Sequence, residues 1–227
     1  MTTNELASNA GITPERRWPM AAAVVGTIVL QVITPHQGRL TYWWILPVLE
    51  VAALVATIIR DPGRIDRRTR AARRATLVLI VLLTIGTLGG LYVLILDVVD
   101  KTYAAHVGAT ALLGRGGALW VTNVVVFSLW FWELDRGGAA ERAAGSGIRP
   151  SFGFPEDAMP ELAPGGWIPR YPDYLYLSFT NATAFSPTDT LPMRTWAKMA
   201  MMLESVISLL TAILVIARAI NVLPGSG

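Results

Sequence analysis

Residues 171–192 read YPDYLYLSFTNATAFSPTDTLP, an aromatic and apolar run that turns polar ahead of a proline. Asp173 follows Pro172 and suits the first turn of a helix, where a carboxylate caps free N–H groups and favours the helix dipole. Tyr174, Leu175, Leu177 and Phe179 give that helix an apolar side. Its length of about ten to twelve residues is roughly half of what a bilayer core requires. Eight of the thirteen residues from Ser178 to Thr190 are polar. In a membrane protein this pattern predicts a re-entrant helix followed by non-helical backbone, which at membrane depth must be buried in protein or face water.

The rest of the chain makes hydrocarbon the expected solvent. Of 227 residues, 53% are hydrophobic and 15% charged, against about 25% charged in a typical soluble domain; mean hydropathy is +0.47. Runs of about 20 apolar residues occur at 18–35, 40–60, 75–99, 116–133 and 194–222. Tyr42, Trp43 and Trp44 open the second run as an interfacial belt would, and Trp130, Phe131 and Trp132 end the fourth. Gly86, Gly89 and Gly90 predict a face small enough for close helix approach. The run after residue 17 has no small-residue cleavage site and reads as a retained span. The expected fold is therefore an all-α integral membrane protein of about five transmembrane helices plus one short re-entrant helix, multi-pass in the inner (cytoplasmic) membrane. Residues 1–17 are a polar tail and 18–133 a four-helix transmembrane region. Residues 134–170, with seven Gly and five Pro, are an irregular loop, and 171–223 a C-terminal unit.

Residues 60–74, RDPGRIDRRTRAARR, hold seven Arg and two Asp. Short basic loops stay cytoplasmic, and the N-terminus with Arg16 and Arg17 belongs on the same side. With a net charge of only +3, this clustering concerns membrane orientation, and no nucleic-acid partner is expected. Five spans then put the C-terminus outside and let the re-entrant helix dip in from the cytoplasm.

From Asp173 to Leu223 the chain resembles the pore helix, filter and inner helix of two-helix-pore potassium channels, aligned without gaps. The residues that carry the likeness are Ser178, Phe179, Thr183, Asp189, Pro192, Met202, Leu203, Glu204, Ile216, Ala217 and Arg218. The full layout also resembles an uncharacterised bacterial family of five-span membrane proteins. Potassium channels, however, dip their pore helix from the outside. Three arrangements reconcile this with the Arg loop: an inverted pore unit, which the Arg bias favours, an irregular crossing by residues 100–115, or an external Arg loop.

Where the channels have Thr-Val-Gly-Tyr-Gly, this chain has Ala184, Phe185, Ser186, Pro187 and Thr188. Glycine supplies positive φ, which other residues adopt at about 1–2 kcal/mol each, and Pro187 fixes φ near −65°. The usual carbonyl ladder is not expected. The pore candidates Thr183 to Thr190 instead offer side chains, with Asp189 favouring monovalent cations by charge and separating them poorly by size. The resemblance implies a homo-oligomer, a tetramer in the channel case; the competing expectation is a non-conducting scaffold or accessory subunit. A plainer reading of SPTDT is a helix start, with Thr188 or Asp189 as cap and Pro192 in the first turn.

Glu50 and Glu204 are intramembrane carboxylates, a class that faces a bundle interior or water. Each is read either as a proton or cation site or as a structural group. Asp97, Asp100 and Glu133 lie near span ends. Asn181 is expected to hydrogen-bond a neighbouring helix, and Met199, Met201 and Met202 to pack in the core of the last one. There is no cysteine and only His36 and His106, so no metal site or other cofactor is expected. No nucleophile motif or phosphate-binding loop is present, so no enzyme is expected.

Overall fold

The computed structural model describes residues 15–34, 44–60, 64–65, 69–99, 109–183 and 189–222. The fold is all-α. In chain order the helices are α1 (Trp18–Ile33), α2 (Ile45–Arg60), α3 (Arg70–Val99), α4 (Ala109–Leu134), α5 (Ala139–Ala143), α6 (Pro155–Ala158), α7 (Tyr171–Thr183) and α8 (Thr195–Val222). Two short antiparallel strand pairs tie the chain at the bundle's end: β1 (Glu15–Arg16) with β2 (Arg64–Ile65), and β3 (Phe152–Gly153) with β4 (Leu191–Pro192).

Three helical segments are long and apolar enough to cross a membrane, Arg70–Val99, Thr110–Gly137 and Thr195–Ala217. The helices α1 and α2 stand where two more spans are expected, but each has 16 residues, about 24 Å at 1.5 Å per residue. The third and fourth helices begin earlier than hydropathy suggests. Thr69 Oγ1 accepts a hydrogen bond from Ala72 N at 3.2 Å, an N-cap that lets α3 start at Arg70 and carries Arg70, Arg73 and Arg74 onto its first turns. The charge of Arg115 does not stop α4, because Asp97 of α3 pairs with it at 2.5 Å in a buried contact.

The centre of the bundle is α4. Of its most apolar window 67% is buried, against 33% for α3 and α8, and it packs against α1, α3, α7 and α8. It runs antiparallel to α3, with Arg73 facing Glu133 at one end and Asp97 facing Arg115 at the other. The end of α3 and the start of α4 therefore lie on the same side. Gly116 of α4 brings α8 close: a Cβ there would sit 2.1 Å from Val215 Cγ2. Gly86 faces Leu46, Glu50 and Gln31, and Gly90 faces Leu119, whereas Gly89 has nothing within 4 Å. The glycines thus serve two different contacts instead of one face.

The expected division of the chain is not a division in space. One apolar core runs from Met20 to Val215. Residues 134–170 are more than an irregular loop: they form α5, α6 and β3 and bury Phe152 and Phe154. The end of the polar tail is also interior, with Glu15 and Arg17 each 6% exposed. Phe131 and Trp132, at the end of α4, are core residues. Outward faces are apolar, including Val25, Val29, Val51, Val55, Val78 and Ile85.

Gly116→Ala is expected to lower the melting temperature in detergent, since β-branched Val215 cannot yield without a helix shift and overpacking costs about 1–3 kcal/mol. Gly89→Ala, with open space around it, is expected to hold or raise it.

Candidate functional site

The short helix α7 starts beside the end of α4 and runs inward. Tyr171 packs edge-on against Trp132; by Ser178 and Phe179 the helix has reached Val124 and Trp120. By Leu191 the chain is back where it started, paired with Gly153, and α8 then runs the length of the bundle. At 13 residues α7 is a short helix, about the length expected for this stretch.

At the depth where α7 meets α4 and α8, five polar side chains close on one another. Glu204 and Asn123 are 0% exposed. Ser178 Oγ lies 2.6 Å from the Val124 carbonyl oxygen and also hydrogen-bonds Glu204 Oε1. Asn181 Nδ2 donates to Glu204 Oε2 at 2.7 Å and to the Met201 carbonyl at 2.9 Å. Asn123 Nδ2 donates to the Glu204 carbonyl at 3.1 Å and to Ser208 Oγ at 3.0 Å. A serine hydroxyl has one proton. Ser178 can therefore bond both Val124 and Glu204 only when the Glu204 carboxyl supplies the second proton. The two side chains that hydrogen-bond this carboxyl among the described residues, the Ser178 hydroxyl and the Asn181 amide, are both neutral.

Asn181 thus bonds a neighbouring helix, as expected. Thr183 Oγ1 turns back to the Thr180 carbonyl at 2.9 Å. Ala184, Phe185, Ser186, Pro187 and Thr188 lie outside the described residues, as do Tyr42, Trp43, His36, His106 and Asp100. Asp189 is exposed and Thr190 buried. Neither Asp189 nor Pro192 starts the last helix: Leu191 and Pro192 are held in a strand pair, which delays the helix to Thr195. Only Met201 of the three methionines is buried, Met199 and Met202 being exposed.

Glu50 belongs to a separate place, between α1, α2 and α3. It is buried, receives Gln31 Nε2 on Oε1 at 3.3 Å, and among the described residues has no hydrogen-bond partner on Oε2. Glu50 and Glu204 are therefore not brought together. No group of three or more His, Cys, Asp or Glu side chains among the described residues is arranged to hold a metal ion.

A second polar network fixes the outer end of α7. Glu15 accepts from Tyr171 N at 2.5 Å and from Trp132 Nε1 at 2.9 Å, capping α7 with a carboxylate from the distant tail. Burial pushes its carboxyl above the usual carboxylate range, against these two bonds and Arg142, which pull it down. Asp173 accepts instead from Arg170 N at 2.7 Å. Asp135 accepts from Tyr174 Oη and Ser151 N, each at 2.6 Å. The Arg142 guanidinium closes the end of α4, donating to the carbonyls of Trp132 at 2.7 Å and Asp135 at 2.9 Å, and lies 5.0 Å from the Tyr174 ring centre. The residues that sequence reasoning missed here are Glu15, Asn123, Asp135 and Arg142. Three of these are charges outside the apolar runs and Asn123 is a polar residue within one, and neither signal names a partner.

No protein-family model matches the chain, and neither a curated protein nor a solved structure matches it.

Glu204→Gln is expected to fold almost as stably as the parent, because an amide still donates to Ser178 and accepts from Asn181. Glu204→Ala strands both partners and should cost about 1–3 kcal/mol. Thermal unfolding of the two variants in detergent tests this; equal loss in both would refute the proton assignment.

Proposed function

We propose that the chain is a five-span, multi-pass protein of the inner membrane whose C-terminal unit is channel-like and passes monovalent cations with weak selectivity. In this reading α1 and α2 are spans as well, their 24 Å met by local thinning of the bilayer. The Arg-rich end faces the cytoplasm, so α7 enters from that side and the pore unit is inverted relative to the potassium channels it resembles. Copies assemble as a tetramer, with the outward apolar residues of α7 and α8, among them Tyr176, Phe179, Val206 and Leu209, meeting lipid and the adjoining copies. Ser186, Thr188 and Asp189 form the narrow point.

The observation that carries the reading is the half-length α7, whose chain returns to its starting end through the polar residues before Leu191. A bundle that needed only packing has no use for a helix ending in its middle, where the last carbonyls require water or a partner. One observation favours the alternative of a non-conducting scaffold. Glu204 and Ser178 are buried within a single copy, as structural polar groups are.

Flux through purified protein in liposomes tests the two readings under potassium, sodium and proton gradients. Wild-type flux is expected, reduced about tenfold in Asp189→Asn, the effect of roughly 1.4 kcal/mol on a barrier. Inserted, folded protein that passes no ion under any gradient, or that is monomeric in mild detergent, would leave the scaffold reading standing.

A further inference from the structure

At the Arg-rich end, a partly open cleft of about 280 Å³ lies between the starts of α1 and α3 and the turn that follows α4. Three arginines line it, Arg17, Arg70 and Arg73, together with Glu133 and Glu141. We propose that this cleft binds a phosphate group, presented by the headgroup of an anionic lipid lying against α1 and α3. The inference uses the membrane reading and is independent of any cation path.

Three features converge on this ligand chemistry. Arginine offers five donors in a planar fork that suits phosphate oxygens. Arg73 uses only part of its fork on Glu133, at 3.4 Å through Nε, and its side chain is 48% exposed. Secondly, the cleft opens beside the first turn of the 30-residue α3, whose positive dipole end adds to the field of Arg70 and Arg73. Its wall toward α5 is the Gly137–Gly138 turn, both at positive φ. Thirdly, its volume sits just below the roughly 300 Å³ at which small-molecule pockets begin, so it suits a headgroup fragment better than a whole ligand. The lipid source is favoured by the surroundings. Trp18, next to Arg17, is 65% exposed, and Val25 of α1 and Val78 of α3 are exposed apolar residues on the two helices that start at the cleft. Acyl chains on that surface would bring a phosphate to the height of the three arginines, where basic residues attract anionic leaflets.

The test is thermal unfolding of the full chain in detergent, titrated with phosphatidylcholine, with phosphatidylglycerol, or with inorganic phosphate. Flotation with phosphatidylcholine vesicles comes first, since failure there strikes the membrane reading and not the cleft. Phosphatidylglycerol is expected to raise the melting temperature where phosphatidylcholine does not. Its half-maximal concentration should rise about tenfold in Arg70→Gln and further in Arg70→Gln/Arg73→Gln, as loss of a charge-assisted hydrogen bond predicts. Arg194→Gln, an exposed arginine outside the cleft, should leave the titration unchanged. Each titration is read against its own lipid-free baseline, so a less stable variant remains informative. An equal response to inorganic phosphate, with the same Arg70 dependence, supports the phosphate site and assigns it a free anion. No response to either, or a response that both cleft variants retain, overturns the proposal.

Discussion

The bond between Ser178 and Glu204 holds a half-length helix inside a bundle, and the middle of the molecule is arranged around it. A helix that stops at mid-depth leaves carbonyls and polar side chains where water is scarce, and each unmet group costs a few kcal/mol in an apolar surround. Here the polar face of α7 is met by Glu204 from α8, the Val124 carbonyl from α4 and, one step removed, Asn123 and Ser208. The contact is three-cornered. That is why α4 is buried on nearly all sides, and why Gly116 must be small: α4 and α8 have to lie close for Asn123 to reach the Glu204 carbonyl.

The outer end of α7 obeys the same constraint with different chemistry. There the groups are charged and paired: Glu15 on the first N–H of α7, Arg142 on the last carbonyls of α4, Asp135 on Tyr174 and Ser151. A helix N-terminus favours the carboxylate and a helix C-terminus the guanidinium, so opposite charges share one network without either facing the wrong helix end. Arg136 is a non-glycine residue at φ +50°, a conformation that costs about 1–2 kcal/mol. It is held by ion pairs to Asp135 at 3.5 Å and Asp157 at 2.5 Å. Residues 135–157 are ordered by these long-range contacts more than by local preference.

The limits of the sequence follow from this distinction. Helices driven by hydrophobic burial were legible: all five long apolar runs became helices, and the length of α7 between its aromatic start and its polar end was close. What hydropathy missed were charges whose cost is met elsewhere in the chain. Arg115 is a helix interruption in a hydropathy window, and an ordinary helical residue once Asp97 neutralises it. The Gly and Pro content of residues 134–170 is real turn chemistry, yet Phe152 and Phe154 bury themselves on Tyr174, an attraction no local window contains. Likewise Glu15 belongs to a polar stretch by composition and to the core by its bond to Tyr171, 156 residues away.

The two ends of α7 also differ in what they allow a proton or an ion to do. Around Glu15 and Glu133, arginines stand close by, and a nearby positive charge repels an arriving cation as it steadies the carboxylate. Around Glu204 the hydrogen-bonding groups are the Ser178 hydroxyl, which can donate or accept, and the Asn181 amide N–H, which only donates, and neither brings a charge of its own. A cation path and a structural polar knot would both use neutral donors at mid-depth. They part on access, since a path needs water at the carboxyl and a knot needs it excluded. Glu204 is fully enclosed by its own copy, so in the channel reading it positions α7 against α8, and contact with ions falls to the polar residues between Thr183 and Leu191.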